Sequence, residues 1–496
     1  MRNSSRGIGA HASASASFDK DKVMKRIRLV QTKWTACIAL IILIAALTTS
    51  CSSMDVKPLP TPTSAAPVKP YLSSPKIIPF FTTESDPQQL AVLQSLITEY
   101  QNLNPGVEVD ITIASPASRG TRLLTALASG ANLGIFEIEP ALMSEWADAG
   151  YLLPLDDVVS NIGANDFVEG SLFRQNGNVY AVPYAVSVYG LWVRKDLFDQ
   201  AGLPLPTTYD EVLNAAKVLT KGETYGIALP AGQNIAAVNF FSTFLWQNGG
   251  DYFTCDGNVA FGNPQALTAI QRWQALTKYA PPGFTTWGYP EQIDAFINGR
   301  VAMTMYAGRL GVQLAETHPD LADNVKVIFP PWGDQKVTLG VWSRFAIASG
   351  TKNKSEAKAF LQWLVSGDRL LHYDSVLPGH MIPPLKTVRE EELGSPSNYS
   401  QKHADWIKSF YDWSAYINHP AMNMGSVKGN QFRRSDVVPP WAWEVFGTPG
   451  IVDTMLQDVA IGRDPQQAWQ EAVNEMQQTV LTWKSMHPQW KSPGCN

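Results

Sequence analysis

The chain has 496 residues, 45% of them hydrophobic, with 39 Lys and Arg, 44 Asp and Glu, four cysteines and sixteen tryptophans. Residues 1–50 hold 8 of the basic and 2 of the acidic residues, so the remainder carries 31 against 42, a net charge of −11. An acidic surface of that size argues against nucleic acid or another polyanion as partner, and about 420 body residues exceed one compact core, so two domains or lobes are expected.

The N-terminus reads as an export signal. The apolar run IALIILIAAL (38–47) follows Lys25, Arg26, Arg28 and Lys33, and Thr48, Thr49 and Ser50 lead into Cys51. Cationic, apolar, then small residues is the order of a secretory signal. Cys51 is placed as in a bacterial lipobox, where the cysteine becomes the first mature residue and takes a diacylglycerol thioether. Thr48 stands where that motif usually has leucine, with Leu47 one place earlier; the alternative is a plain membrane-anchor helix. Met24 opens an ordinary n-region, and residues 1–23 read as an upstream start. Residues 51–75 are rich in Pro, Ser and Thr and behave as an extended tether. Lipid and tether together place the body at the outer face of the bacterial cytoplasmic membrane. Cys37 leaves with the signal, so Cys255 and Cys495 remain, either as a disulfide pinning the tail or as two free thiols.

The body opens with a strand at 76–81. Asp86 and Pro87 then supply an N-cap and first-turn proline for an amphipathic helix at 87–103, with Leu90, Leu93, Leu96, Ile97, Tyr100 and Leu103 on one stripe. NPG stops it and VEVDITIA (107–114) alternates as a strand. This β-α-β in under 40 residues predicts a mostly parallel sheet with crossover helices. A helix at 119–130, a short strand at 135–138 and a helix at 141–150 follow. TYDE (208–211) is a capping box before a further helix. YGIALP (225–230), VAMTMY (301–306) and VKVIFP (325–330) read as buried strands, and the C-terminal third is mainly helical. The class is α/β, with closing helices packed onto it.

Catalytic signatures are absent from the sequence: it has no G-x-S-x-G, P-loop, dinucleotide G-x-G-x-x-G or H-E-x-x-H. No histidine stands at metal-ligand spacing with a second His or Cys, and His318, His403, His419 and His487 read as solvated helix-end residues. No catalytic residue, metal or cofactor is expected. Asp156–Asp157 and Glu390–Glu392 read as exposed turns or helix faces, whereas Glu137 and Glu139 stand at a strand end, where parallel sheets place their ligand sites. A surface glycosidase, with Glu84 and Glu139 facing one another, is the enzymatic alternative.

Several stretches occur in an order that resembles one family. They are EYQNLNPGVEVDI, TALASG followed by EWADAGYLLPLDD, NVYAVPYAVSVYGLWVRKDLFDQAGLPLPTTYDEVLNAAKVLT, WQNGGDYF, AFINGRVAMTMYAGRLG and VTLGVWSRFAIASGTKNKSEAKAFLQWLVSG. Over roughly residues 76–480 they resemble the extracellular solute-binding proteins of ABC importers, the family that includes maltose-binding protein. Two departures lie near the expected cleft: GANLGIF lacks the family's Pro-Asp, and Arg309 stands where many sugar-binding members have Trp.

The resemblance implies a two-lobed clamp with three crossings, expected near Pro183–Val186, Phe329–Pro331 and Leu377–Pro383. It puts residues 76–185 with 331–380 in the N-terminal lobe and 186–330 with 381–496 in the C-terminal lobe. A monomer is expected to hold a carbohydrate between the lobes and present it to ABC permease subunits. Polyamines, glycerol-phosphate esters and metal chelates stand as alternative solutes. A sugar needs aromatic plates for its apolar face, and carboxylates, amides and Arg for its hydroxyls. The candidates are Thr83, Glu84, Glu139, Trp342 and Arg344 from the first lobe, and Tyr184 and Ser187 from the hinge. The second lobe offers Gln233, Asn239, Trp287, Tyr306, Arg309, Trp441 and Trp443. Tyr189 and Trp192, in the same strand as Tyr184, are assigned to packing.

Overall fold

The structure, a computed structural model, describes residues 74–84, 86–114, 119–422, 427–428, 431–432 and 438–491. The export signal, Cys51, the tether and Cys495 lie outside them. Among the described residues no helix is long and apolar enough to cross a membrane.

Strand β1 (Lys76–Thr82) runs parallel to β2 (Val107–Ile113) and to β3 (Ile135–Glu137). Helix α1 (Pro87–Leu103) connects the first two, as the apolar spacing predicts, and the Asp86 carboxylate caps it by accepting from the N–H groups of Gln88 and Gln89, both at 3.0 Å. The sheet continues antiparallel through β8 (Thr338–Ile347), β5 (Asn178–Arg194) and β4 (Phe173–Gln175), in the order β2-β1-β3-β8-β5-β4. β5 is 17 residues long, about 55 Å at the rise of a strand. Its first half pairs with β8, from Val182↔Phe345 to Val188↔Gly340. Its second half pairs with β6 (Met303–Ala307) and β7 (Val325–Ile328). One strand therefore belongs to both ends of the molecule.

Two apolar clusters fill those ends. One buries Ile78, Phe80, Leu93, Ile97 and Tyr100 against Phe345, Phe360 and Leu364. The other buries Leu191, Val193, Phe241, Trp273 and Met303, and continues through Phe136 and Trp146. At about 25 cal/mol per Å², each of these large side chains contributes on the order of 2 kcal/mol against its exposed state.

β7 ends at Ile328, ahead of Pro330 and Pro331, which cannot donate to a ladder, and β8 runs beside β5 from Gly340 to Phe345. The segment after the Leu377–Pro383 stretch, expected in the C-terminal lobe from residue 381, packs into the first cluster through Met381, Leu385 and Val388. Thr387 seals it there, donating through its backbone N–H (3.1 Å) and Oγ1 (2.6 Å) to the Asp166 carboxylate. YGIALP makes only isolated bridges, Tyr225↔Val301 and Ala228↔Thr304. Gly226 lies so close to the Ala216 backbone that a Cβ would sit 2.2 Å from its carbonyl oxygen.

Candidate ligand-binding cleft

Three chain segments run side by side where the two ends of the molecule meet. β5 and β8 are joined by their ladder, and residues 377–383 lie along β5, with Val186 N–H donating to Ile382 O at 2.8 Å and Ile382 N–H to Val186 O at 3.1 Å. This brings Ser187 Oγ to 3.4 Å from His380 Nε2. Burial, and then the charge of Arg309, push the His380 imidazole well below its usual range, so it is neutral at pH 7, and its Nδ1 is buried without a partner.

The first-lobe wall is the turn after β1. The buried Glu137 carboxylate at the end of β3 accepts from Thr82 Oγ1 (2.5 Å), from Thr83 N–H (3.1 Å) and Oγ1 (2.6 Å), and from Tyr184 OH (3.4 Å). Adjacent parallel strands carry these groups, so the network follows from the register Phe81↔Phe136. It fixes Glu84, whose backbone N–H donates to Thr82 Oγ1 at 3.0 Å and whose Oε1 accepts from Asp86 N–H at 2.7 Å. The Tyr184 ring stacks on Phe345 at 4.2 Å between centroids.

The second-lobe wall is tyrosine. Tyr189 and Tyr306 enter from paired strands, where Tyr189 faces Ala307 and Tyr306 faces Gly190. Tyr289 is the first residue of helix α2 (Tyr289–Ile297). Tyr306 lies edge-on to Tyr189 (5.6 Å) and to Tyr289 (5.4 Å). The Tyr289 hydroxyl accepts from Tyr189 OH (3.2 Å) and from Asn239 Nδ2 (2.7 Å), so both its lone pairs are used and its own proton remains to donate. Asn239 is 4% exposed and its Oδ1 is buried without a partner. Burial holds the hydroxyls of Tyr189, Tyr289 and Tyr306 above the usual tyrosine value, so all three are protonated at pH 7.

Arg309, the first residue of helix α3 (Arg309–Thr317), joins the two walls. Its Nη2 donates to Glu84 Oε2 (3.1 Å) and Gln89 Oε1 (3.4 Å), its Nη1 to Glu84 Oε1 (3.4 Å), and Nη1 lies 3.6 Å from Asp86 Oδ2. Burial works against the guanidinium charge, but Glu84 outweighs it and holds Arg309 above its usual value. Farther along the helices, Gln88 Nε2 donates to Glu316 Oε1 at 3.0 Å. The cleft thus offers hydroxyls, an amide oxygen, a neutral imidazole and a paired guanidinium.

The description "bacterial extracellular solute-binding protein" matches residues 84–367, more than half of the chain. The chain belongs to that family. It is similar to the putative ABC transporter periplasmic-binding protein YcjN of Escherichia coli (strain K12), at 25% identity over 401 residues, covering 78% of this chain and 88% of the relative. Among solved structures it is similar to the GacH receptor of Streptomyces glaucescens, studied unliganded and with acarbose, at 19% identity and a TM-score of 0.67, covering 82% and 98% of the two chains. It is also similar to an ABC transporter solute-binding protein of Agrobacterium vitis with bound D-mannitol, at 21% identity and a TM-score of 0.66, covering 82% and 99%. The two-lobed clamp of these receptors is the fold of this chain.

Within this receptor fold the structure brings together Thr83, Glu84, Tyr184, Ser187, Asn239, Tyr306 and Arg309. The other candidates have these surroundings. Glu139 precedes the 3-10 turn Pro140–Leu142, and Gln233 is exposed with Thr454 at 3.5 Å. Trp287 is buried beneath Arg300, and its carbonyl accepts from Gly232 N–H and Asn234 Nδ2. Trp342 is buried beside Arg344, which is itself 1% exposed and donates to the carbonyls of Ser171 and Trp342; this arginine tethers a loop and has no surface for a solute. Trp441 is 0% exposed and packs edge-on against Trp483 (5.6 Å) and Trp490 (5.3 Å), so it is a core residue despite its Pro-rich setting. Trp443, two residues on, is half-buried against the same apolar cluster.

The sequence reading did not single out Tyr289, His380 or Gln89 for this cluster, and took Asp86 only as a helix cap. Tyr189, assigned to packing, is 7% exposed within the apolar cluster, and its hydroxyl also donates to Tyr289. His403, expected in solvent, stacks on Trp406 at 4.1 Å, and His419 is buried. Glu392, also expected outside, is 8% exposed. Cys255 is disulfide-bonded.

Proposed function

We propose that the chain is the lipid-anchored receptor of an ABC importer, which captures a carbohydrate between its lobes and delivers it to the permease. The observation that carries this reading is the cleft wall of Tyr189, Tyr289 and Tyr306 with Asn239, where aromatic faces stand beside a buried, unpartnered amide oxygen and a free hydroxyl proton. A sugar or polyol has the complementary surface, apolar on its C–H face and hydrogen-bonding at its rim. A mannitol-binding protein of Pseudomonas aeruginosa, 24% identical over 293 residues, adds support, as do the acarbose and D-mannitol complexes of the similar structures. No bond is made or broken in this role, which requires only that the solute favour the closed lobes.

Cys51 would carry the lipid and residues 51–75 the tether. The Cys255 disulfide would join Cys495 and pin the C-terminal tail, a pairing supported by Trp490, which lies so close to Gly257 that a Cβ there would be 2.9 Å from its ring. The receptor would act as a monomer. Thermal-shift screening of hexoses, hexitols and oligosaccharides tests the reading, because a solute that binds only the folded state raises its stability by mass action. At least one neutral sugar or polyol is expected to raise the melting temperature. A panel in which only polyamines or phosphate esters do so would overturn it.

A further inference from the structure

An arginine in a solute cleft ordinarily suggests a receptor for a carboxylate or phosphate. Arg309 is already engaged. The Glu84 carboxylate takes both ends of its guanidinium, Asp86 stands at 3.6 Å and Gln89 accepts at 3.4 Å, with the Arg309 and Glu84 side chains 18% and 14% exposed. Glu84 and Asp86 stand directly on this guanidinium, the Glu137 carboxylate lies beneath the same turn, and the nearby His380 is neutral.

We propose that the Arg309–Glu84–Asp86 cluster is the specificity determinant of the cleft, admitting uncharged polyhydroxylated solutes and rejecting their phosphate esters. This rests on the carbohydrate reading and narrows it. An anion could reach Arg309 only by displacing Glu84, which would break a partly buried, doubly hydrogen-bonded ion pair. An uncharged hydroxyl needs no displacement: it can donate to Asp86 Oδ2, which stands 3.6 Å from Nη1 while Oδ1 caps the helix. Arg309 therefore serves to neutralise and orient Glu84, and this guanidinium is closed to anions.

The test pairs each neutral solute with its ester on the full chain. Glucose is set against glucose 6-phosphate and mannitol against mannitol 1-phosphate by isothermal titration, with spermidine as the cationic arm. The proposal expects the neutral member to bind on the order of 100-fold more tightly than its ester, and expects Glu84→Gln to narrow that gap at least ~10-fold, because the freed guanidinium can then take the phosphate. Equal or tighter binding of an ester, an unchanged gap in Glu84→Gln, or binding of spermidine alone would overturn it. Failure of every neutral sugar to bind would sink the carbohydrate reading instead. The cluster is then judged by a double-mutant cycle of Glu84→Gln and Arg309→Gln in urea unfolding. A coupling of at least ~5-fold in the unfolding constant supports it and additivity overturns it.

Discussion

Replacing Glu137 by Gln changes one atom and probes the floor beneath the whole first-lobe wall. Its carboxylate accepts from two threonine hydroxyls, one backbone N–H and the Tyr184 hydroxyl. A carboxamide would keep its oxygen toward the fixed N–H of Thr83 and turn its NH₂ toward Thr82 and Tyr184, whose hydroxyls can rotate to accept. The shape survives while the charge assistance is lost from the three shorter contacts. With charged hydrogen bonds worth about 1.5–3 kcal/mol and neutral ones about 1, Glu137→Gln should cost on the order of 2 kcal/mol. Glu137→Leu strands every donor in a buried setting and should cost on the order of 4 kcal/mol or more. Tyr184→Phe loses only the 3.4 Å contact and keeps the stack on Phe345, so less than about 1 kcal/mol is expected. The assay is urea unfolding at pH 7, read as the shift in midpoint multiplied by m. If Glu137→Gln shifted stability by less than ~0.5 kcal/mol, the buried-network account of this wall would be wrong.

The remaining predictions concern other groups. Burial raises Glu392 from 4.5 to about 7 against the opposing effects of the Tyr411 hydroxyl and Arg389. Between those values the folded state binds more protons than the unfolded one, so stability falls as pH rises through this window. The loss is about 3 kcal/mol, and it should be absent from Glu392→Gln when the two proteins are compared by urea unfolding at pH 4.5 and 8. Trp441→Ala should cost about 3–5 kcal/mol by emptying a core site while leaving solute affinity unchanged at temperatures where the variant is folded. Reduction of the Cys255 disulfide should lower stability by about 2–4 kcal/mol, seen as a lower melting temperature in dithiothreitol. Thr208→Ala should cost about 1 kcal/mol through loss of the capping box with Glu211, measured as a shift in urea midpoint.

Local signals in the sequence carried the fold well. The Asp86 cap, the stripe from Leu93 to Tyr100 and the Thr208–Glu211 box are decided by neighbours in the chain, and the elements form where those neighbours put them. The crossings were less legible. Prolines at 330, 331 and 383 mark where ladders stop, whereas a crossing depends on which strands pair over a long distance, as β8 does with β5. The site was half legible for the same reason. Glu84 and Arg309 stand out by type and position and Asn239 only through the family resemblance, but Tyr289 joins the candidate cluster only when Tyr189 and Asn239 converge on its hydroxyl from 100 and 50 residues away. Trp441 went the opposite way: named as a candidate for ligand contact, it packs against the C-terminal helix Pro465–Met486 through Trp483.

The central claim is that a solute is held at the tyrosine wall between the lobes. Isothermal titration of a solute that raises the melting temperature, against the wild-type chain and Asn239→Ala, tests it most directly. One site per chain is predicted, with affinity falling about tenfold or more in Asn239→Ala, equivalent to losing ~1.4 kcal/mol of hydrogen bonding to the buried Oδ1 and the oriented Tyr289 hydroxyl. Undiminished affinity in the variant would place the solute elsewhere and contradict the account.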